Sequence, residues 1–222
     1  MVDDIIIFGA GGGASTAFRY FDEHHDYNVV GFTLDDENLI ENSFMDKPIV
    51  PFSIVEKEYP VDNYQLFILL GFDNLNLLRR KKYLEGKAKG YRFASYVEPT
   101  NNIHHSVSLG ENCFILDGQT INHETKIGNN VVMWSGNHIG DRTLINDHTW
   151  ITSNVCIGGD SEIGSSSFLG MNCTISHNTK IGNANIIGAG TLITQNTQAE
   201  EVYIQTNTKP SGFNSLDFAR ML

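Results

Sequence analysis

From residue 103 to residue 193 a large aliphatic side chain falls at every sixth position, running from Ile103, Leu109, Ile115, Ile121 and Ile127 through Met133 to Ile193. No position on that grid departs from Ile, Leu or Met. Helices repeat near 3.6 residues and strands at 2, so a period of six fits neither. It predicts a β-solenoid with one short strand per hexapeptide. Three strands per coil make a triangular prism of eighteen residues per turn, each aliphatic pointing inward above its copy about 4.8 Å away. Glycine often follows the aliphatic, as at Gly128, Gly140, Gly158 and Gly170, and small or β-branched residues such as Thr125, Val131 and Thr143 precede it by two. The grid is unbroken, which leaves no room for a long loop within the coils.

The first 95 residues follow another pattern. IIIF (5–8), VVGFTL (29–34) and QLFILLG (65–71) read as buried strands. Between the first two, Ala14, Ala17, Phe18 and Phe21 recur at helical spacing. Residues 73–90 read as a second amphipathic helix that stops at a glycine. Strand, glycine turn, helix and strand open a βαβ unit and imply a parallel sheet. The predicted organisation is an α/β, Rossmann-like domain over 1–97, a parallel β-helix domain over 98–198 and a tail over 199–222. Within the tail, residues 216–222 suggest a short helix closing the open end of the prism.

Composition narrows the partners. A chain of 222 residues with a formal net charge of -11 is a poor match for nucleic acid or an anionic membrane. Three scattered cysteines, Cys113, Cys156 and Cys173, suit neither a disulfide framework nor a CxxC metal site. No apolar stretch reaches the roughly 20 residues that cross a bilayer. The start of the chain lacks the basic and apolar regions of a signal peptide. The expectation is a soluble, cytoplasmic protein with no membrane insertion.

The repeat, IIIFGAGGGA (5–14), GFTLDDE (31–37), Gly71 before an Arg/Lys-rich segment, and SSSFLGMNCTI (165–175) together resemble the hexapeptide-repeat sugar acetyltransferases. The resembled group comprises sialic acid O-acetyltransferases and the bacillosamine and perosamine N-acetyltransferases. That resemblance implies a left-handed parallel β-helix, acetyl-CoA as co-substrate, a homotrimer and a role in surface glycan biosynthesis. It also implies that the glycine loop (Gly9, Gly11, Gly12, Gly13), the acidic pair Asp35 and Asp36, and Gly71 hold a nucleotide-linked sugar. On the residues alone, a dinucleotide site or a mere tight turn remains open. The basic run from Arg79 to Lys82 reads as a solvated helix face.

In the resembled family a His-Glu or His-Asp pair is followed one coil later by a glycine whose amide faces the thioester. Register from Phe168-Leu169-Gly170 places that glycine on Gly159, beside Gly158, and the catalytic histidine on Asp141. The pair His123-Glu124 has the right local form but lies one coil earlier. Spacing by eighteen stacks His105, His123, Asp141, Gly159 and His177 in one column. Three readings follow: His123 is the base and Asp141 orients it; Asp141 or nearby His138 takes the proton; or the base is lost. An Asp base would suit an amine, which becomes acidic as it attacks, better than a hydroxyl. An N-acetyltransferase leads over an O-acetyltransferase and over a non-catalytic nucleotide-sugar-binding trimer.

The remaining histidines carry less. His24 and His25 read as solvated, His104 and His105 as a cap on the first coil, and His148 as part of a polar turn. No His pair has metal-ligand spacing, so no metal is expected. The tail segment 203–213 keeps only a Lys-Pro from the turn that lines the CoA channel in the resembled family.

Overall fold

The computed structural model describes all residues except 1, 2, 24, 25, 207, 208, 211, 213, 216–218 and 220–222. The closing helix suggested for 216–222 therefore lies outside the described residues, as do His24 and His25. The N-terminal part contains β1 (Asp3–Phe8), α1 (Gly12–Asp22), β2 (Tyr27–Leu34), β3 (Ser43–Phe44), β4 (Lys47–Pro51), α2 (Val55–Glu58), β5 (Gln65–Ile68), α3 (Leu77–Ala88) and β6 (Arg92–Phe93). Its sheet has the order β3-β4-β2-β1-β5-β6 and is parallel except for the β3–β4 pair.

Ile5, Ile6 and Ile7 are all fully buried. Consecutive strand residues face opposite sides of a sheet, so the triple isoleucine reports cover on both faces. Helix α1 turns Ala14, Ala17 and Phe21 inward, as their spacing requires. Helix α3 starts later than its sequence pattern suggests. Asn74, Leu75 and Asn76 have left-handed φ values of 49°, 51° and 64° and form a turn before it.

The prism has three parallel sheets. The first runs through Tyr96–Val97, Phe114–Ile115, Val132–Met133, Trp150–Ile151, Phe168–Leu169, Ile186–Ile187 and Val202–Tyr203. Strand pairing thus continues past both ends of the aliphatic grid. The grid residues from Ile115 to Ile193 form one continuous buried stack. Its small polar residues are not wasted in that core: Thr125 Oγ1 donates to Gly140 O at 3.1 Å and Ser167 Oγ to Gly182 O at 3.1 Å. A hydroxyl at this position ties a corner to the coil above and so avoids the cost of an unpaired buried group.

One face of the prism carries the N-terminal part. Outward side chains of the first sheet (Tyr96, Phe114, Val132, Trp150 and Phe168) join Phe21, Phe32 and Phe67 in a single apolar cluster. Outward positions on the other two sheets are mostly polar, such as Asn102, Thr120 and His138, or Lys126, Glu162 and Lys180. A second contact lies at the corner where Asn112, Asn130 and His148 follow one another by eighteen. Asn112 exchanges two hydrogen bonds with the backbone of Ile68, at 2.8 and 3.0 Å.

Candidate active site

The column of His105, His123, Asp141, Gly159 and His177 occupies the corner between the second and third sheets, opposite the face that carries the N-terminal part. The structure brings His123 and Asp141 together. Asp141 Oδ1 lies 3.2 Å from His123 Nδ1 and accepts the His123 main-chain amide at 3.1 Å. A carboxylate oxygen only accepts, so Nδ1 is the donor of this contact, which in the neutral ring leaves the lone pair on Nε2. Both side chains remain open to solvent, 64% and 44% exposed.

The His104 ring stacks on His123 with centroids 3.6 Å apart and an interplanar angle of 33°, and it lies 4.1 Å from His105. His104 Nδ1 accepts from the amide of Ser106 at 3.2 Å and bonds the Ser106 hydroxyl at 2.8 Å. Desolvation, followed by the neighbouring His123 and His105, holds the His104 imidazole below its usual range. His104 is therefore more than a cap; it presents a ring face to His123. Nothing in the sequence except the doubled histidine signalled this contact.

Other expected residues are arranged less tightly. His138 lies on the strand His138–Ile139 with its side chain outside the prism, and no bond joins it to His123 or Asp141 among the described residues. Glu124 takes the left-handed turn position, φ 57°, and its amide donates to Ser106 Oγ at 2.8 Å. It borders a hollow of about 500 Å³ shared with Arg142 and Lys126. Arg142 is held by two bonds to Asp160, at 2.6 and 2.8 Å. A Cβ placed on Gly158 would lie 2.5 Å from the main-chain nitrogen of His177, so that glycine is fixed by packing.

A second feature is a cleft of about 620 Å³ in the N-terminal part, lined by Gly9, Gly11, Leu34, Asp35, Ile49 and Lys82 among others. The four glycines of its loop differ in purpose. Gly9 has φ +115°, and a Cβ on Gly13 would meet Leu69 O at 2.2 Å, so both are demanded by the backbone. Gly11 and Gly12 have free space where a Cβ would be. Their amides open onto the N-terminus of α1, a geometry that suits a phosphate.

The acidic pair splits. Asp35 faces the cleft and receives Lys82 Nζ at 2.5 Å. Asp36 turns away to cap Ser53, accepting its hydroxyl at 2.6 Å and its amide at 3.2 Å, and these bonds hold its carboxyl below the usual range. Gly71 is exposed beyond β5, outside the residues that line the cleft.

The basic run is not a solvated face. Arg80 and Lys81 are exposed, but Arg79 is fully buried and Lys82 is 5% exposed. Arg79 Nη1 donates to Asn130 O at 2.6 Å and Nη2 to His148 O at 2.9 Å, with the guanidinium carbon 5.2 Å from the Trp150 ring. Burial pushes this guanidinium down to about 9. His148, read from sequence as part of a polar turn, is likewise buried, and burial pushes its imidazole down to about 4. Helix spacing alone could not reveal this, because the partner surface is a corner 51 to 69 residues further along the chain.

The comparisons with known proteins agree with the fold. The family pattern "Bacterial transferase hexapeptide (six repeats)" matches residues 160–195. Among curated proteins no sequence relative matches. A mutant of perosamine N-acetyltransferase from Caulobacter crescentus, solved with CoA and GDP-perosamine, superposes with TM-score 0.79 at 19% identity, covering 92% of this chain and 95% of that one. The acetyltransferase domain of PglB from Neisseria gonorrhoeae, solved with acetyl coenzyme A, gives 0.81 at 16% identity, covering 95% and 100%. WeeI from Acinetobacter baumannii gives 0.62 at 15% identity, covering 90% and 96%. At such identities the likeness establishes the fold. The likeness of fold to these solved structures extends along nearly the whole chain. No helix among the described residues is long and apolar enough to cross a membrane.

Proposed function

We propose that this chain is an acetyl-CoA-dependent N-acetyltransferase acting on a nucleotide-linked amino sugar. The observation that carries the reading is the His123–Asp141 pair, formed at 3.2 Å on a corner of a hexapeptide prism. Asp141 holds the imidazole by Nδ1–H, which leaves Nε2 as a general base. The amine of the sugar attacks the thioester carbon and gives its proton to Nε2 as the C–N bond forms. The carbonyl electron pair moves onto oxygen and is met by a corner amide, for which the sequence nominates Gly159. Collapse restores the carbonyl and breaks the C–S bond, and the departing sulfur takes the proton back.

The N-terminal part is read as a Rossmann-like domain whose cleft takes the nucleotide. Gly11 and Gly12 would approach the diphosphate and Asp35 with Lys82 the base or ribose. Cleft and column lie on opposite sides of one prism, which supports a homotrimer of left-handed β-helices with each site shared between the cleft of one subunit and the column of the next. The solved perosamine N-acetyltransferase with CoA and GDP-perosamine supports this substrate class. The proposal carries a cytoplasmic location and a role in surface glycan biosynthesis with it.

The test is to incubate the protein with acetyl-CoA and a panel of UDP-, dTDP- and GDP-linked amino sugars, following thiol release. Turnover with at least one amine acceptor is expected. A His base also serves hydroxyls, so sialic acid and other hydroxyl acceptors complete the panel. Turnover with those alone would replace N- by O-acetylation, and nucleotide binding without any turnover would leave a binding protein.

A further inference from the structure

The loop that follows β5 carries a half-exposed aromatic ring, Phe72, at 52% exposure. That ring packs against Phe168, with centroids 4.8 Å apart, and against Trp150 at 5.7 Å. The backbone after it is strained: Asn74, Leu75 and Asn76 are all left-handed, a region that leucine seldom enters. The turn is nevertheless pinned. The Asn76 amide donates to Phe72 O at 3.2 Å, and Asn76 Nδ2 reaches Ser166 O and Ser167 O at 3.4 and 3.5 Å. A single exposed phenylalanine means little by itself. A strained turn that holds one in place points to a use.

Topology says what the use is. In the N-terminal sheet, β2 and β4 lie on one side of β1, and β5 and β6 on the other. The switch point therefore falls between β1 and β5, and open parallel sheets bind ligands outside the carboxyl ends of the strands at such a point. Here those ends are the glycine loop after β1 and residues 69–72 after β5. The two touch: a Cβ on Gly9 would lie 3.8 Å from Leu70 Cδ2, and one on Gly13 2.2 Å from Leu69 O. Leu70 lines the cleft, and Phe72 follows it by two residues. Ala10 of the glycine loop and Phe168 pack against the same apolar cluster, which carries the wall of the cleft on toward the Phe72 ring. With Asp35 at the end of β2 taking the nucleoside, and the amides of Gly11 and Gly12 the diphosphate, the group beyond the diphosphate emerges over the end of β5.

We propose that the exposed side of Phe72 is a platform for the pyranose ring of the nucleotide-linked sugar, which makes Phe72 a specificity-determining residue. The assignment rests on the cleft as the nucleotide-sugar site. A pyranose directs its equatorial hydroxyls outward from the ring's edge and its axial C–H bonds to its two faces. Those bonds carry slight positive charge, and the face of an aromatic ring is negative. Phe72 offers no hydrogen bond, so it selects for ring shape and an apolar face. The hydroxyls and the amine stay free for other partners.

The experiment separates the sugar from its nucleotide. Calorimetry on the full chain compares UDP with UDP-glucose, dTDP with dTDP-glucose and GDP with GDP-mannose, for the parent, F72A and F72W. In whichever pair binds, F72A is expected to hold the nucleoside diphosphate within about 2-fold of the parent and the sugar-linked form about 10-fold more weakly. F72W, which restores a ring face, should regain most of that loss. Normal binding of the sugar-linked form by F72A overturns the platform alone. An equal loss for both members of a pair, uncorrected by F72W, also overturns it, because Phe72 would then serve only the fold of its loop. A parent that binds none of the six compounds overturns the reading of the cleft and the platform with it. Saturation-transfer NMR, irradiating the protein's aromatic protons, gives a second readout. The hexose C–H signals should weaken in F72A while those of the ribose hold, and hexose signals unchanged in F72A defeat the proposal.

Discussion

The chemistry proposed for His123 depends on two neighbours that a linear reading ranks very unequally. The spacing of eighteen predicted Asp141 beside it, and the 3.2 Å contact agrees. The stacked ring of His104 at 3.6 Å was not legible, because the relative tilt of adjacent coils sets it and no residue pattern records that. H123N is expected to lower kcat at least 100-fold with KM for acetyl-CoA nearly unchanged, and D141N about 30-fold, measured by thiol release. H104A should cost about 5-fold in kcat and H104F much less, since a ring face is what the contact supplies. In the cleft the two carboxylates should separate cleanly. D35N should weaken binding of a nucleoside diphosphate at least 10-fold by calorimetry, whereas D36N, whose side chain is spent on Ser53, should leave it within 2-fold. Equal losses would mean that both carboxylates reach the ligand.

At the scale of elements, α3 shows why half of a pattern misleads. Its run of four basic residues has the composition of an exposed face, yet the helix turns Arg79 and Lys82 inward and Arg80 and Lys81 outward, and Arg79 lands on the corner formed by Asn130 and His148. Replacing Arg79 by Leu would leave two buried carbonyls unpaired. A loss of about 3 kcal/mol is expected, seen in denaturant melts together with faster proteolysis at the junction of the two parts. The same corner makes stability depend on pH. His148 is buried neutral, with Nδ1 bonded to Asn130 Nδ2 at 2.9 Å, and its imidazole is pushed down to about 4. Its folded value is depressed, so the unfolded chain binds more protons between about 6.5 and 4. Stability is therefore full above about 6.5 and falls as pH drops toward 4, by up to about 3 kcal/mol. In H148Q that slope should flatten, and a mutant that kept it would assign the acid sensitivity elsewhere.

For the whole molecule, the inward grid announced the prism unmistakably, because an aliphatic is needed at each rung and nothing else stacks there. The outward positions held a second message. Tyr96, Phe114, Val132, Trp150 and Phe168 recur by eighteen on one sheet, and this apolar stripe marks the face against which the N-terminal part packs. Periodicity at six conceals it; periodicity at eighteen exposes it. The position of the cleft was less legible, since Lys82 enters it from a helix that seemed solvated. If each site is shared between subunits, inactive D35N and H123N proteins should complement one another when co-refolded. About a quarter or less of wild-type turnover is expected from mixed trimers, and none would place cleft and column in the same chain.

The matched rungs of stripe and column also act as a ruler. The N-terminal part grips fixed coils through its aromatic stripe, and the corner residues climb the same axis in steps of about 4.8 Å. Rotation about a threefold axis parallel to the prism leaves height unchanged, so moving the base from one rung to the next changes its axial distance from the cleft by one such step in any symmetric assembly of this kind. The column residues from His105 to Gly159 lie on the gripped coils themselves, so a base moves along the axis only from one rung to another. For the proposed acetyltransferase, a base at His123, one rung below Asp141, would therefore shift the reach required of the acceptor group by one such step.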